Sequence, residues 1–271
     1  MNVYKSLLLF SLGAALLSMT SCYFSKDEIK AIVRKEAGKD DFRDSEKWGK
    51  VVTKELDLAD FTHINVSGKA DVKVVQGDTV SVEVQGNEYA IENNVISVED
   101  GILFVARKKK APHDTPIIKV TVTVPTLESV NVSGASDIDF KKAMVFDNDL
   151  RINLSGAGDL NIDKSIFCHD LTIAISGAGD ITAKKLQCRK ADILISGAGD
   201  LEADIDADDI SLSISGAGDA DLKVLCKNLD VSASGTGDVE LEGECTSLTK
   251  HSSGAASIDS RNLTVKKMNI R

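Results

Sequence analysis

The chain is poor in aromatic residues, histidine and proline, and it carries no excess of basic charge. Phe, Trp and Tyr make up 4% of its 271 residues, too few to line a groove that stacks sugar rings or nucleobases. The four histidines, His63, His113, His169 and His251, sit in unrelated contexts, and no Ser, His and acid arrangement for nucleophilic catalysis is suggested. A net charge of −10 argues against a nucleic-acid partner, which needs an exposed basic face. The run Lys108-Lys109-Lys110 reads as a solvated loop.

What is present begins with an address. Lys5 precedes the apolar run Leu7 to Leu17, about eleven residues, too short for a bilayer and suited to a signal-peptide core. It leads into Ser18-Met19-Thr20-Ser21-Cys22, which resembles a bacterial lipoprotein cleavage site with Cys22 as the acylated first residue. Met19 departs from the leucine usual there, and a plain signal peptide cut near Ser21 is the alternative. Several acyl chains on Cys22 would anchor the protein to the membrane, since stable anchoring takes more than one. Lys26-Asp27-Glu28 resembles signals that send some lipoproteins to the cell surface. The charged stretch behind it admits a short helix over Asp27 to Ala37 but reads better as a tether, with Trp48 in it or at its junction with the domain.

The rest turns on a repeat. Variants of "ISGAGD" place serines at 133, 155, 176, 196, 215, 234 and 253, in steps of 22, 21, 20, 19, 19 and 19 residues. A recurring period of this length means a solenoid rather than a single ligand-binding loop. Before each corner the chain alternates, as in Leu171, Ile173 and Ile175 against Thr172 and Ala174, the mark of a half-buried strand. Alternation resumes after the corner, as in Ile181 and Ala183, and a third short segment offers pairs such as Leu186 and Cys188. The fold class is therefore all-β: a parallel β-helix with coils of about 20 residues, stacked about 4.8 Å apart. Coil length varies mainly between the aspartate and the third strand.

Gly177 and Gly179 are expected to supply positive φ at the bend, with Ala178 keeping the corner small. Serine and aspartate are expected to satisfy corner N–H groups. Ser67-Gly68-Lys69-Ala70-Asp71 repeats the corner weakly, and strand-like runs at Val80 to Val84, Val95 to Val98, Ile102 to Val105 and Ile117 to Val124 fill the interval. The expected division is 1–21 signal peptide, 22–52 anchor and tether, 53–132 irregular β coils and 133–271 regular repeats. A separate small β-sandwich is the alternative for the third part. Leu263 and Val265, with Lys266 and Lys267, are expected at the far open edge.

The lipoprotein signal, "FTHINVSG" near the domain start, "VPTLESVNVSGASD" in the middle and the serial "SGAGD" corners together resemble the head GIN domain family, named as auto-transporter adhesins. The likeness runs from about Val51 to Asp259. It implies a right-handed β-helix-like fold on a bacterial envelope protein and brings no catalytic residues. The adhesin label rests on analogy of fold.

Two sets of residues are site candidates. Asp137, Asp159, Asp180, Asp200, Asp219 and Asp238 would stack along one corner, where carboxylates repel unless compensated. Calcium between coils is one compensation, and backbone N–H groups donating to each carboxylate are the other and favoured one; no cofactor is otherwise called for. Cys168 and Cys188 occupy equivalent places on adjacent coils, as do Cys226 and Cys245, in a slot that holds Phe146 and Ala207 elsewhere. A reduced ladder and disulfides between neighbours both remain open. The expected function is a lipid-anchored outer-membrane protein, at the cell surface, binding a protein or glycan partner and not an enzyme. The alternatives are a structural protein facing the periplasm and a polysaccharide-processing β-helix.

Overall fold

A computed structural model describes residues 48–270, with the side chains of 267–270 excepted. The signal segment, Cys22, the region of the Asp27 to Ala37 helix and nearly all of the tether lie outside the described residues. The described chain is nearly all β, a solenoid of about 7 turns with coils about 20 residues apart.

The first coil is β2 (His63–Ser67) and β3 (Ala70–Gln76), preceded by β1 (Val51–Leu56). The chain then turns back through β4 (Ser81–Asn87), α1 (Glu88–Glu92) and β5 (Asn94–Glu99) before a second coil, β6 (Ile102–Arg107) and β7 (Ile118–Val124). The second coil pairs in parallel with one side of the first, β6 with β2 and β7 with β3. The third coil, β8 (Ser129–Val132) and β9 (Asp137–Phe140), pairs in parallel with the other side. In space the coils thus run second, first, third. Shared ladders join this half to the repeats, and all the strands form one sheet.

Antiparallel strands finish the outer end. β1 pairs with β4, and β5 with β6. Trp48 is buried there, its ring 5.2 Å from that of Tyr89, and its carbonyl accepts the Tyr89 N–H. Trp48 belongs to this cap, and α1, which no sequence pattern announced, carries its aromatic partner.

The regular part follows from period two. β10 (Met144–Val145), β11 (Leu150–Leu154), β12 (Leu160–Phe167), β13 (Asp170–Ile175), β14 (Ile181–Gln187) and β15 (Lys190–Ile195) are separate short strands. In β16 (Leu201–Ile214), β17 (Ala220–Gly235), β18 (Asp238–Gly254) and β19 (Ser257–Ile270) they merge into continuous bent ones. Register is like on like: Ile152, Ile173, Ile193 and Leu212 form one buried column. A coil too thin to hold a core of its own buries its apolar face against the coils above and below. Register shifts between Ile162 and Ser165, and between Ala183 and Leu186, absorb the falling coil length where the sequence places it.

The corners correct one expectation. Gly177 and Gly179 are absent from the positive-φ glycines, which at these corners are Gly68, Gly235 and Gly254. Their reason is closeness. The Ala178 N–H donates to the Gly156 carbonyl at 3.0 Å, and a Cβ on Gly177 would lie 1.9 Å from that same oxygen. The pattern repeats upward, with Ala198 donating to Gly177 and Ala217 to Gly197. Serine also acts otherwise than expected: the Ser155 hydroxyl donates to the Val132 carbonyl, and Ser234 to Ile214. Where the third coil has Ser136 in place of glycine, its buried hydroxyl accepts the Ala70 N–H at 3.0 Å.

Gly197→Ala places a methyl carbon 2.0 Å from the Gly177 carbonyl oxygen. Urea unfolding should show a loss of about 3 kcal/mol or more. Ala198→Ser, on the exposed residue beside it, should change stability by less than about 0.5 kcal/mol.

Candidate functional site

The six aspartates stand in one exposed row. From Asp159 on, the backbone N–H of each donates to the carboxylate of the aspartate one coil before: Asp159 to Asp137 at 3.1 Å, Asp180 to Asp159 at 3.2 Å, Asp200 to Asp180 at 2.9 Å, Asp219 to Asp200 at 2.8 Å and Asp238 to Asp219 at 2.7 Å. A charge-assisted bond from an N–H that strand pairing does not reach offsets the repulsion between carboxylates. This is the hydrogen-bonded alternative. Calcium takes six to eight oxygens, and each coil supplies one aspartate here with one oxygen already occupied.

The next outward row was not singled out from the sequence. Glu202, Asp221, Glu240 and Asp259 stand in register across β16 to β19, beside a row that runs Asp204, Lys223, Glu242. They border an open groove of about 460 Å³. At its end the Arg261 guanidinium holds the Asp259 carboxyl down at about 2, well below the usual carboxylate range. At the opposite corner, opposite charges pair between coils, Lys227 with Asp208 at 2.7 Å and Arg189 with Asp170.

Phe146, Cys168, Cys188, Ala207, Cys226, Cys245 and Val265 climb one column, each the residue after a registered strand position or such a position itself. Cys226 and Cys245 are direct partners. All four cysteines are free thiols; Cys245 is buried and the others are half-buried. A hydrogen bond with Cys188, then burial, pushes the Cys168 thiol up; burial pushes Cys226 up to about 12 and raises Cys245 too. A raised thiol has little thiolate at neutral pH and reacts slowly.

Two groupings arise only from stacking. His63 Nδ1 lies 2.9 Å from Ser129 Oγ, and its Nε2 3.8 Å from Glu128, residues 66 positions apart joined by the β2–β8 ladder. Ser129 is buried at the start of β8, where an incoming substrate does not reach its hydroxyl. At the cysteine corner, Asp149, His169 and Asp170 bring their ligand atoms within 4.8 Å of one another. His169 Nδ1 and the Asp170 N–H both face Asp149 Oδ1, while Arg189 already pairs with Asp170. Sequence spacing held a signal for the trio, since Asp149 and Asp170 are one coil apart. It held none for His63 and Ser129.

Residues 60–204 and 200–271 match the family described as "Putative auto-transporter adhesin, head GIN domain", and the chain belongs to that family. No curated protein matches it. Among solved structures, a "putative adhesin" from Bacteroides fragilis superposes with a TM-score of 0.67 at 21% identity, over 81% of this chain and 97% of its own. A "putative adhesin" from Parabacteroides distasonis gives 0.65 at 20% identity, over 82% and 98%. A "putative lipid binding protein" from the same organism gives 0.59 at 20% identity, over 82% and 97%. At such identities the likeness is one of fold.

Asp200→Ala removes the acceptor of the Asp219 N–H and should lower unfolding stability by about 1–2 kcal/mol, whereas Asp200→Asn, which keeps an acceptor oxygen, should be near neutral. Chelation with EGTA should leave the thermal midpoint in place; a fall on chelation, restored by calcium, would move the row to a metal role.

Proposed function

We propose that the protein is lipid-anchored through Cys22 in the outer membrane of a bacterial envelope and that its solenoid works at the cell surface as an adhesin-like module for a protein or glycan partner. The observation that carries this reading is the form of the surface. Rows of side chains in register run along the solenoid beside open grooves of about 460 and 280 Å³. Such a surface suits many weak, repeated contacts with an extended partner, and it does not surround a small substrate as a cleft does. Family membership supports the reading, since the family and its structural neighbours carry adhesin names.

Catalysis is no part of the proposal. The serine that meets a histidine is buried in a strand, and the carboxylate rows have no aromatic side chains beside them to hold a sugar. Anchoring rests on the resemblance at Ser18 to Cys22 and surface display on Lys26-Asp27-Glu28. Among the described residues no helix is long and apolar enough to cross a membrane.

Protease treatment of intact cells, with detection of the repeat region, tests the reading. Digestion is expected under conditions that leave periplasmic markers whole, and Cys22→Ser should move the protein from the membrane fraction to the soluble one. Protection of the whole domain, in cells whose known surface proteins are cut, would instead favour a structural protein facing the periplasm.

A further inference from the structure

The cysteine column holds its thiols in adjacent pairs and never three in a row. Its order is Phe146, Cys168, Cys188, Ala207, Cys226, Cys245, Val265. Neighbours in a parallel ladder have Cα atoms about 4.8 Å apart, inside the 4.4–6.8 Å range of disulfides. Cys188 and Cys226 are separated by the Ala207 coil, roughly twice that distance and beyond bridging. Both pairs sit at a corner where strand pairing pauses while the coil-to-coil offset stays the same: Cys168 and Cys188 lie just past β12 and β14, and the residue after Cys226 and Cys245 is left out of the β17–β18 pairing. A disulfide there needs the two Cβ atoms drawn only slightly closer than ladder spacing sets them. Cys188 is the first cause of the raised Cys168 thiol, as befits side chains set on adjacent coils. Half-buried Cys226 and buried Cys245 both line an open groove of about 280 Å³ that a small disulfide can enter.

We propose that Cys168 with Cys188, and Cys226 with Cys245, are two redox staples, each oxidised to a disulfide that ties one coil to the next. The oxidant is a disulfide, either a small molecule R–S–S–R or the active-site disulfide of an oxidoreductase. At the second pair, Cys226 loses its proton and attacks one sulfur of R–S–S–R. That S–S bond breaks, R–S⁻ leaves and takes a proton, and Cys226–S–S–R remains. Cys245 then loses its proton and attacks the Cys226 sulfur, the second R–S⁻ leaves and is protonated, and the protein disulfide forms. Two protein thiols are oxidised and one R–S–S–R is reduced to two R–SH. The pushed-up thiols make the uncatalysed reaction slow. The inference does not depend on the anchoring or the binding role.

The test uses the full chain carrying Cys22→Ser, so that four thiols remain. The folded protein is incubated with oxidised glutathione, quenched in acid, unfolded, alkylated and mapped by mass spectrometry. Two bridged peptides are expected, Cys168–Cys188 and Cys226–Cys245, with the mass lower by two hydrogens per bridge and a thermal midpoint that falls on reduction. Cys245→Ala, for which Ala207 shows that the slot accepts alanine, should retain the first bridge and hold one glutathione on Cys226, since no second thiol can displace it. Four free thiols in the folded protein, when the urea-unfolded chain oxidises under the same conditions, would overturn the proposal. A bridge between Cys188 and Cys226 would do so as well.

Discussion

Everything regular in this molecule rests on one contact, the N–H of a corner alanine donating to the carbonyl of a glycine one coil below. At 3.0 Å between Ala178 and Gly156 it is an ordinary hydrogen bond. What makes it demanding is that the glycine above the acceptor has its Cα so near that a Cβ would fall 1.9 Å from the oxygen. The corner therefore stacks at strand spacing only while that position is glycine, and the strands on either side inherit their register from it. A one-residue slip at the corner would send the Ile152, Ile173 and Ile193 column to the solvent face.

Once register is imposed, chemistry becomes columnar, and each column must answer for placing like beside like. Apolar columns gain by it, because branched side chains pack on their own kind. Carboxylates do not, and the chain meets the problem differently from place to place. In the corner row every aspartate but the last, Asp238, takes a backbone N–H from the next coil. At the cysteine corner opposite charges pair between coils. In the row Glu202, Asp221, Glu240 and Asp259, the guanidinium of Arg261 reaches only the last. A row of like charges on an open strand face is retained at some expense in stability.

How much of this is legible in the sequence follows from which interactions are local. The coils, their faces and the shrinking segment near Asp163 are written in the period, since alternation and repeat length are properties of neighbouring residues. The aspartate bonds and the cysteine column also follow, because each joins residues one repeat apart. The φ of Gly177 was misjudged because a bend and a close approach both select glycine, and only the position of the coil below tells them apart. The coil order of the N-terminal half was out of reach. It depends on β2 and β3 accepting partners on both sides, from residues about forty and about seventy positions ahead, with only the weak corner at Ser67 to Asp71 to signal the second and no repeat to signal the first. The Trp48 and Tyr89 contact and the His63 and Ser129 pair share that cause.

The cap and the repeats then divide the work. One end of the solenoid is finished with antiparallel strands and a buried tryptophan, which removes the parallel edge that would otherwise invite pairing. The coils beyond it share one corner contact and differ in what their strands display, so a change at an outward strand position such as Glu202 alters one position in a row and leaves the corner contacts untouched. Stability is held by glycine, alanine and the buried aliphatic columns, and surface character by residues that those contacts do not constrain. A scaffold divided in this way can vary its outer rows freely while its corners remain the same, as the unbroken run of SGAGD corners beneath faces of very different charge illustrates.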